Sequence, residues 1–257
     1  MITSRTPYGV DSSSTATIDD IREHYDTLSP LYSAFWGEHI HHGYWHGEES
    51  AAEAQENLIR ELARRARIAE GDRVLDVGCG LGGSAMYLAR EYDVMVKGIS
   101  LSPKQVSAAR DQARQRGLLG RTNFEVQDAH HLERDPAFYD VIWVVECSEH
   151  LNYEQEKLVD AVRVGMLCPS FGTLDDYSKW MRDSGLLVET AEDITEQVKR
   201  TWTVCRPFLK SPLVKTLLTA GGDKLSAFAD SFSAIDDAYR TGAMSYGMFV
   251  ASRSIHG

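Results

Sequence analysis

The stretch VLDVGCGLGGS, residues 74–84, decides the fold. Its start, apolar except for Asp76, reads as a buried strand, and glycines at 78, 80, 82 and 83 then lead into the helix-like run GGSAMYLAREY. Glycines let a backbone turn tightly and approach a ligand. A helix starting just after them offers free N–H groups. Working outward, VMVKGIS (94–100) reads as a second strand, and SPKQVSAARDQARQRG (102–117) as a helix with Pro103 in its first turn and Gly117 past its end. TNFEVQDA (122–129) and YDVIWVVEC (139–147) read as two more strands. Such alternation predicts an α/β chain with a mostly parallel sheet and right-handed crossovers. Downstream the pattern predicts a helix over 173–184, a strand over 186–194, helices across 196–240 and a final strand, YGMFVAS (246–252). Upstream, Ile18, Ile21, Tyr25, Leu28 and Tyr32 keep helical spacing, and residues 50–68 form an amphipathic helix with Ser50 as its N-cap. The expected organisation is a polar, poorly ordered tail (1–17), N-terminal helices with a His/aromatic segment (18–68), and a sheet domain (69–257) carrying helices over 196–240.

Composition narrows the function. The chain has 257 residues and a net charge of -11. Nucleic-acid binding domains carry a basic face, and none is visible here. No apolar run approaches the roughly 20 residues needed to span a bilayer. The N-terminus has no apolar stretch of the kind a secretory signal needs. Cys79, Cys147, Cys168 and Cys205 are far apart with no CxxC pairing, which points away from a disulfide framework and toward a reducing cytoplasm.

Ligands of open α/β sheets bind beyond the carboxyl ends of the strands. A glycine loop in that position suggests a dinucleotide, yet two features oppose one. Asp76 would repel a pyrophosphate, and Ser100 ends the second strand where a nicotinamide enzyme usually has a ribose-binding acid. S-adenosyl-L-methionine has no phosphate and carries a sulfonium and an ammonium group, which suits an acid in the loop. At the end of the third strand, Asp128 could accept from an adenine amine while the Ala129 N–H reaches a ring nitrogen. The bland reading, that the glycines only make turns, leaves the combined pattern hhDxGxGxG, polar strand end and third-strand acid unexplained.

The strings VLDVGCGLGGS, GISLSPKQ, VQDA and FYDVIWVVECSEHL resemble a class I SAM-dependent methyltransferase, more narrowly the tocopherol (plastoquinol-type) C-methyltransferase group and its bacterial secondary-metabolism relatives. WGEHIHHGYW, GMLCPSFGTLDDYSKWMRDSGL and AMSYGMFVASRS fit the same group, so the likeness covers residues 20–255. The resemblance implies a Rossmann-like sheet with helices on both faces, an antiparallel last strand and an added helical lid. It implies that Asp76, Gly78, Gly80 and Gly82 cradle the methionine end of the cofactor, with S-adenosyl-L-homocysteine as its product. Ser100, Leu101 and Gln105 would hold the ribose, and Asp128, Ala129 and His130 would surround the adenine. One departure is large. The family has a helix, a PGG turn and a central fifth strand after strand 4. Here ECSEHLNYEQEKLVDA is followed at once by residues that match what lies beyond that strand. The expectation is that a segment near Asp160–Arg163 has been deleted or left out, with AVRVGMLC as the alternative reading of a substitute strand.

The segment FWGEHIHHGYWHG (35–47) holds His39, His41, His42 and His46 among aromatic residues. A metal site, a structural cluster and a pocket wall all compete for it. Methyl transfer needs no metal and no cysteine accompanies the histidines, so no metal site is expected. As a wall, Trp36, Tyr44 and Trp45 would present π faces to positive charge, worth roughly 0.5–2 kcal/mol each, while His41 and His42 orient the acceptor or move protons. Tyr177 and Trp202 could cover the acceptor or simply pack. Glu146 and His150, just past the fourth strand, are the candidate bases, with Glu146 also beside the cofactor. The expected activity is SAM-dependent methyl transfer to a small, largely apolar acceptor (prenylated, terpenoid or aromatic), on carbon by the resemblance. N- or O-methylation, a non-catalytic SAM-binding regulator and an NAD-dependent oxidoreductase are the alternatives. The N-terminal helix could pair with a second copy of the chain.

Overall fold

The computed structural model describes residues 17–132, 138–147, 172–209 and 222–253. They fall in two compact units, Thr17–Ser148 and Glu149–Gly257. In the first, α1 (Ile18–Trp36) and α2 (Ala51–Ala66) precede β1 (Arg73–Val77), α3 (Gly83–Glu91), β2 (Met95–Ser100), α4 (Pro103–Gln115), β3 (Thr122–Val126) and β4 (Val141–Val144). The unit boundary lies at residue 148, so α1 and α2 belong with the glycine-loop sheet.

The four strands pair in parallel in the order β3-β2-β1-β4. β1 sits between β2 and β4, with Asp76 in register with Gly98 on one side and Trp143 on the other. A strand buried on both faces reads as a near-continuous apolar run, which is why RVLDV was legible. On one face Val74, Val96, Phe124 and Trp143 pack with Ile59 and Ala63 of α2, Met86 and Leu88 of α3, and Val106 and Ala109 of α4. On the other, Leu75, Val77 and Ile99 pack with Ala129, Leu132, Tyr139 and Cys147. Ser50 caps α2 as expected, its hydroxyl accepting from the Glu53 N–H.

Two strands end earlier than the sequence suggests, for local reasons. Beyond Val126 the chain turns because the Asp128 carboxylate accepts the His130 N–H at 2.9 Å. Beyond Val144 it leaves extended geometry because Glu146 sits in the left-handed region, at φ 48°.

The second unit contains α5 (Leu174–Asp183), β5 (Leu186–Asp193), the short α6 (Thr195–Val198), α7 (Arg200–Leu209), α8 (Gly222–Thr241) and β6 (Gly247–Arg253). A capping box starts α5, with Thr173 and Asp176 exchanging side-chain and backbone hydrogen bonds. β5 and β6 pair antiparallel, which places the last strand in the expected orientation. Among the described residues these two strands form a sheet of their own, and β4 pairs only with β1. The expected gap near 160–163, AVRVGMLC, Cys168 and His150 all lie outside the described residues.

Candidate active site

The loop after β1 is built by exclusion. The N–H groups of Gly78 and Cys79 both donate to the Ile99 carbonyl at 2.9 Å, folding the loop back on β2. A Cβ on Gly78, at φ +73°, would lie 2.3 Å from Cys147 Sγ, and one on Gly82, at φ +81°, would lie 2.8 Å from the Phe124 ring. Only glycine satisfies both the angle and the space at these two positions. Gly82 leads into α3 with no side-chain cap, so the first N–H groups of that helix are left for another acceptor. Asp76 is 2% exposed. Its Oδ2 is buried and unpartnered, and burial pushes its carboxyl up to about 7.

At the end of β2 a chain of hydrogen bonds sets the next group. Ser100 Oγ donates to Gln105 Oε1 at 2.8 Å and accepts the Ser102 N–H at 3.1 Å. The carbonyl end of the Gln105 side chain is thereby committed, leaving its NH2 as the donor. After β3, Asp128 Oδ1 meets the His130 ring Nδ1 at 2.8 Å as well as the His130 N–H, and Oδ2 meets His131 Nδ1 at 3.3 Å. Partial burial works to raise the Asp128 carboxyl, but these hydrogen bonds outweigh it and hold the group below its ordinary range.

The His/aromatic segment is a strap pinned from two sides. From α2, Gln55 Nε2 donates to the carbonyls of His39 and His41, at 2.6 and 3.3 Å. The Tyr44 N–H donates to the Ala54 carbonyl at 2.8 Å. From the end of β4, Glu146 Oε1 accepts the His42 N–H at 2.7 Å and lies 2.9 Å from His42 Nδ1. Burial works to raise Glu146, and the His42 contacts outweigh it, leaving the carboxyl below its ordinary range. The strap crosses the start of α3 so closely that a Cβ on Gly83 would lie 2.6 Å from His39 Nδ1. Burial, with His41 and Arg116 nearby, drops His39 to about 3, so its ring is neutral.

His41 is the most constrained of the histidines. Its Nδ1 lies 2.7 Å from the His42 carbonyl oxygen. A carbonyl can only accept, so Nδ1 carries the proton and Nε2 keeps a bare lone pair. That Nε2 is buried and has no partner. Burial lowers the His41 pKa, against the opposing pull of Glu146. Among the described residues five buried side-chain polar atoms are unpartnered, and three of them, on His39, His41 and Asp76, belong to the strap and the glycine-loop strand. A buried polar group without a partner calls for a water, an ion or a ligand to complete its bonding.

Of the sequence-predicted residues of the first unit, the glycine loop follows β1, Ser100, Leu101 and Gln105 lie at and beyond the end of β2, Asp128, Ala129 and His130 follow β3, and Glu146 after β4 holds His42. Trp36, Tyr44 and Trp45 are half-buried. The Trp36 ring lies 5.6 Å from Tyr32 on α1, and Tyr44 lies 5.1 Å from His46. Tyr177 and Trp202 belong to the second unit, where Tyr177 packs on Trp180 and Phe249, and Trp202 on Phe232. Gln55 holds the strap and is not among the residues expected from the sequence. Gln55 had a readable signal, as a polar side chain on the buried stripe of α2 beside Ala54 and Leu58. No three His, Cys, Asp or Glu side chains among the described residues gather to hold a metal ion.

Residues 12–164 match the family model described as mycolic acid cyclopropane synthetase. The chain belongs to this family of SAM-dependent methyltransferases. It is 34% identical over 219 residues to 27-O-demethylrifamycin SV methyltransferase of Amycolatopsis mediterranei, a match covering 73% of this chain and 80% of that protein. Since 73% of 257 residues is about 188, some 31 of those 219 positions have no residue of this chain opposite them. The fold resembles the cyclopropane synthase MmaA2 of Mycobacterium tuberculosis, with TM-score 0.78 and 15% identity over 94% of this chain and 100% of that one. It also resembles geranyl diphosphate C-methyltransferase of Streptomyces coelicolor A3(2), solved with S-adenosyl-L-homocysteine, with TM-score 0.71 and 18% identity over 94% and 100%. The family's cofactor is S-adenosyl-L-methionine. The residues present fit it: an unpartnered buried carboxylate oxygen, a glycine cradle that side chains would fill, and a polar amide rather than an acid after β2. Bound there, the cofactor supplies an electrophilic methyl group on a sulfonium.

Proposed function

We propose that this methyltransferase acts on a hydroxyl oxygen of a small, largely apolar molecule, with His41 as the base. The observation that carries the reading is the His41 tautomer. A neutral imidazole is locked with its lone pair unpartnered, which suits it to take the proton a hydroxyl loses as its oxygen is methylated. The expectation of carbon as the acceptor atom rested on resemblance. The curated relative described above is by its name an O-methyltransferase, and a tocopherol O-methyltransferase of Arabidopsis thaliana is 34% identical over 157 residues, covering 56% of this chain and 45% of that protein.

In this reading Asp76 with Gly78, Gly80 and Gly82 takes the methionine end, Ser100, Leu101 and Gln105 the ribose, and Asp128, Ala129 and His130 the adenine. Trp36, Tyr44 and Trp45 form the acceptor wall. Glu146 holds His42 and the strap in place, because its Oε1 is already committed to two His42 nitrogens. Most of the rate gain comes from holding acceptor and methyl in line, which is worth up to about 7–11 kcal/mol.

The test is an assay of apolar alcohols and phenols with labelled cofactor, each paired with its O-capped counterpart. The expected result is gain of one methylene mass by the free hydroxyl compounds alone. Equal gain by capped compounds would assign the reaction to carbon and overturn the reading of His41 as the base for a hydroxyl.

A further inference from the structure

Asp26 lies in the middle of α1, and its carboxylate reaches a loop 76 residues further along the chain. Its Oδ1 accepts from the Ser102 hydroxyl and from the Lys104 N–H at 3.4 Å, while Lys104 Nζ donates to the Asp26 carbonyl at 3.0 Å. Ser102 is the N-cap of α4, and its oxygen accepts the Gln105 N–H at 3.1 Å. The Ser102 N–H in turn donates to Ser100 Oγ, which donates to Gln105 Oε1. Ser100, Ser102 and Gln105 are all buried, at 7%, 1% and 3% exposed. A hydroxyl has one proton to give. The carboxylate of Asp26 therefore fixes where the Ser102 proton points, which leaves the Ser102 lone pairs for Gln105 and sets the whole chain of donors. A cap without Asp26 would still form, but its hydroxyl proton would be free to turn.

We propose that Asp26 is a positioning residue for the cofactor's ribose: a carboxylate on α1 orients the Ser102–Ser100–Gln105 chain, so docking of α1 and affinity for the adenosyl group rise together. The proposal rests on the ribose role of Ser100 and Gln105 given above. Coupling of this kind is reciprocal, so ligand in the site stabilises the seating of α1 by the same factor that α1 adds to affinity.

The test uses the full chain, with S-adenosyl-L-homocysteine as the probe in titration calorimetry and hydrogen exchange read over residues 18–36. Asp26→Ala is expected to weaken binding about tenfold, in keeping with the loss of hydrogen bonds to a charged group. It should also abolish the slowing of exchange in α1 that the ligand causes in the wild type. Asp26→Asn keeps an oxygen able to accept from Ser102 and Lys104, and is expected to recover most of both effects. In turnover the Asp26→Ala defect should fall on KM for the cofactor, with kcat changed less than about threefold. Gln105→Ala serves as the reference. If it binds as tightly as the wild type, the ribose assignment fails and the proposal with it. If Gln105→Ala weakens binding and Asp26→Ala does not, Asp26 only fastens α1 to α4 and the proposal alone is overturned. Should Asp26→Ala fail to fold, Asp26→Leu keeps the side-chain shape without an acceptor and removes the same link while leaving the Ser102 cap. Unchanged ligand affinity in that variant contradicts the proposal, and a loss of about tenfold supports it.

Discussion

His41→Asn is expected to lower kcat by about 10²- to 10⁴-fold, the range attributed to a positioned general base. Asparagine is the informative choice. Its amide NH2 can take the place of Nδ1–H and donate to the His42 carbonyl, so the strap keeps its bond while the basic Nε2 is lost. Stability should therefore change little and cofactor binding not at all, which separates chemistry from folding. The pH profile supplies a second readout. Because burial lowers the His41 pKa, the base stays neutral below the ordinary histidine value. The acidic limb of kcat should accordingly lie below about pH 6.5. An acidic limb centred above that value, or kcat within threefold of wild type in His41→Asn, assigns proton removal to another group.

Glu146→Ala is expected to cost about 3 kcal/mol of stability, read as a shift in the urea midpoint. Breaking a buried pair by removing one partner costs about 3–5 kcal/mol. The low end applies because the side chains of His42 and Glu146 are 10% and 20% exposed. The variant removes the acceptor of the His42 N–H and with it the strap's tie to the end of β4, leaving only its ties to α2. Glu146→Gly should cost less than Glu146→Ala, because glycine relieves the φ of 48° that alanine must still adopt. A larger loss in the glycine variant would show that this backbone strain is not part of the balance. The sign with pH follows from linkage. The Glu146 carboxyl is lower in the folded chain than in the unfolded one, so its contribution is present above the unfolded value and fades as pH falls through the folded value. His39 acts in the same direction. It stays unprotonated down to about 3 in the fold but takes a proton near 6.5 once unfolded, so stability falls as pH drops from about 6.5 toward 3.

The parts of this protein that were legible in its sequence are those with local causes. The β1 strand and its glycine loop follow from an apolar run ended by residues that must adopt positive φ, and the position of Ser50 before an Ala-rich stripe marks the start of α2. The strap was visible as an anomaly of composition, but its chemistry was not. What decides the His41 tautomer is the carbonyl of its own neighbour, and what holds that neighbour is a carboxylate 104 residues away. Glu146 reads as a candidate base because an acid past a strand end often is one. Its left-handed backbone and its hydrogen bonds to His42 have no signature in ECSEH. Asp26 was hidden for the same reason as Glu146: an exposed-looking acid on a helix gives no sign of which loop it will meet. The expected loss of a strand near residue 160 lies outside the described residues.

The assigned cofactor site requires the glycine loop to hold a ligand whose amino-acid end carries a positive ammonium group, with Asp76 as the counter-charge. Calorimetry of S-adenosyl-L-homocysteine between pH 6 and 8 tests this most directly. The free protein keeps the Asp76 carboxyl protonated up to about 7, and pairing with an ammonium group requires it ionised. Binding should therefore release a proton and be about tenfold weaker at pH 6 than at pH 8, and the pH dependence should vanish in Asp76→Asn. Binding that is equally tight at both ends of the range, or that keeps its pH dependence in Asp76→Asn, would contradict the account.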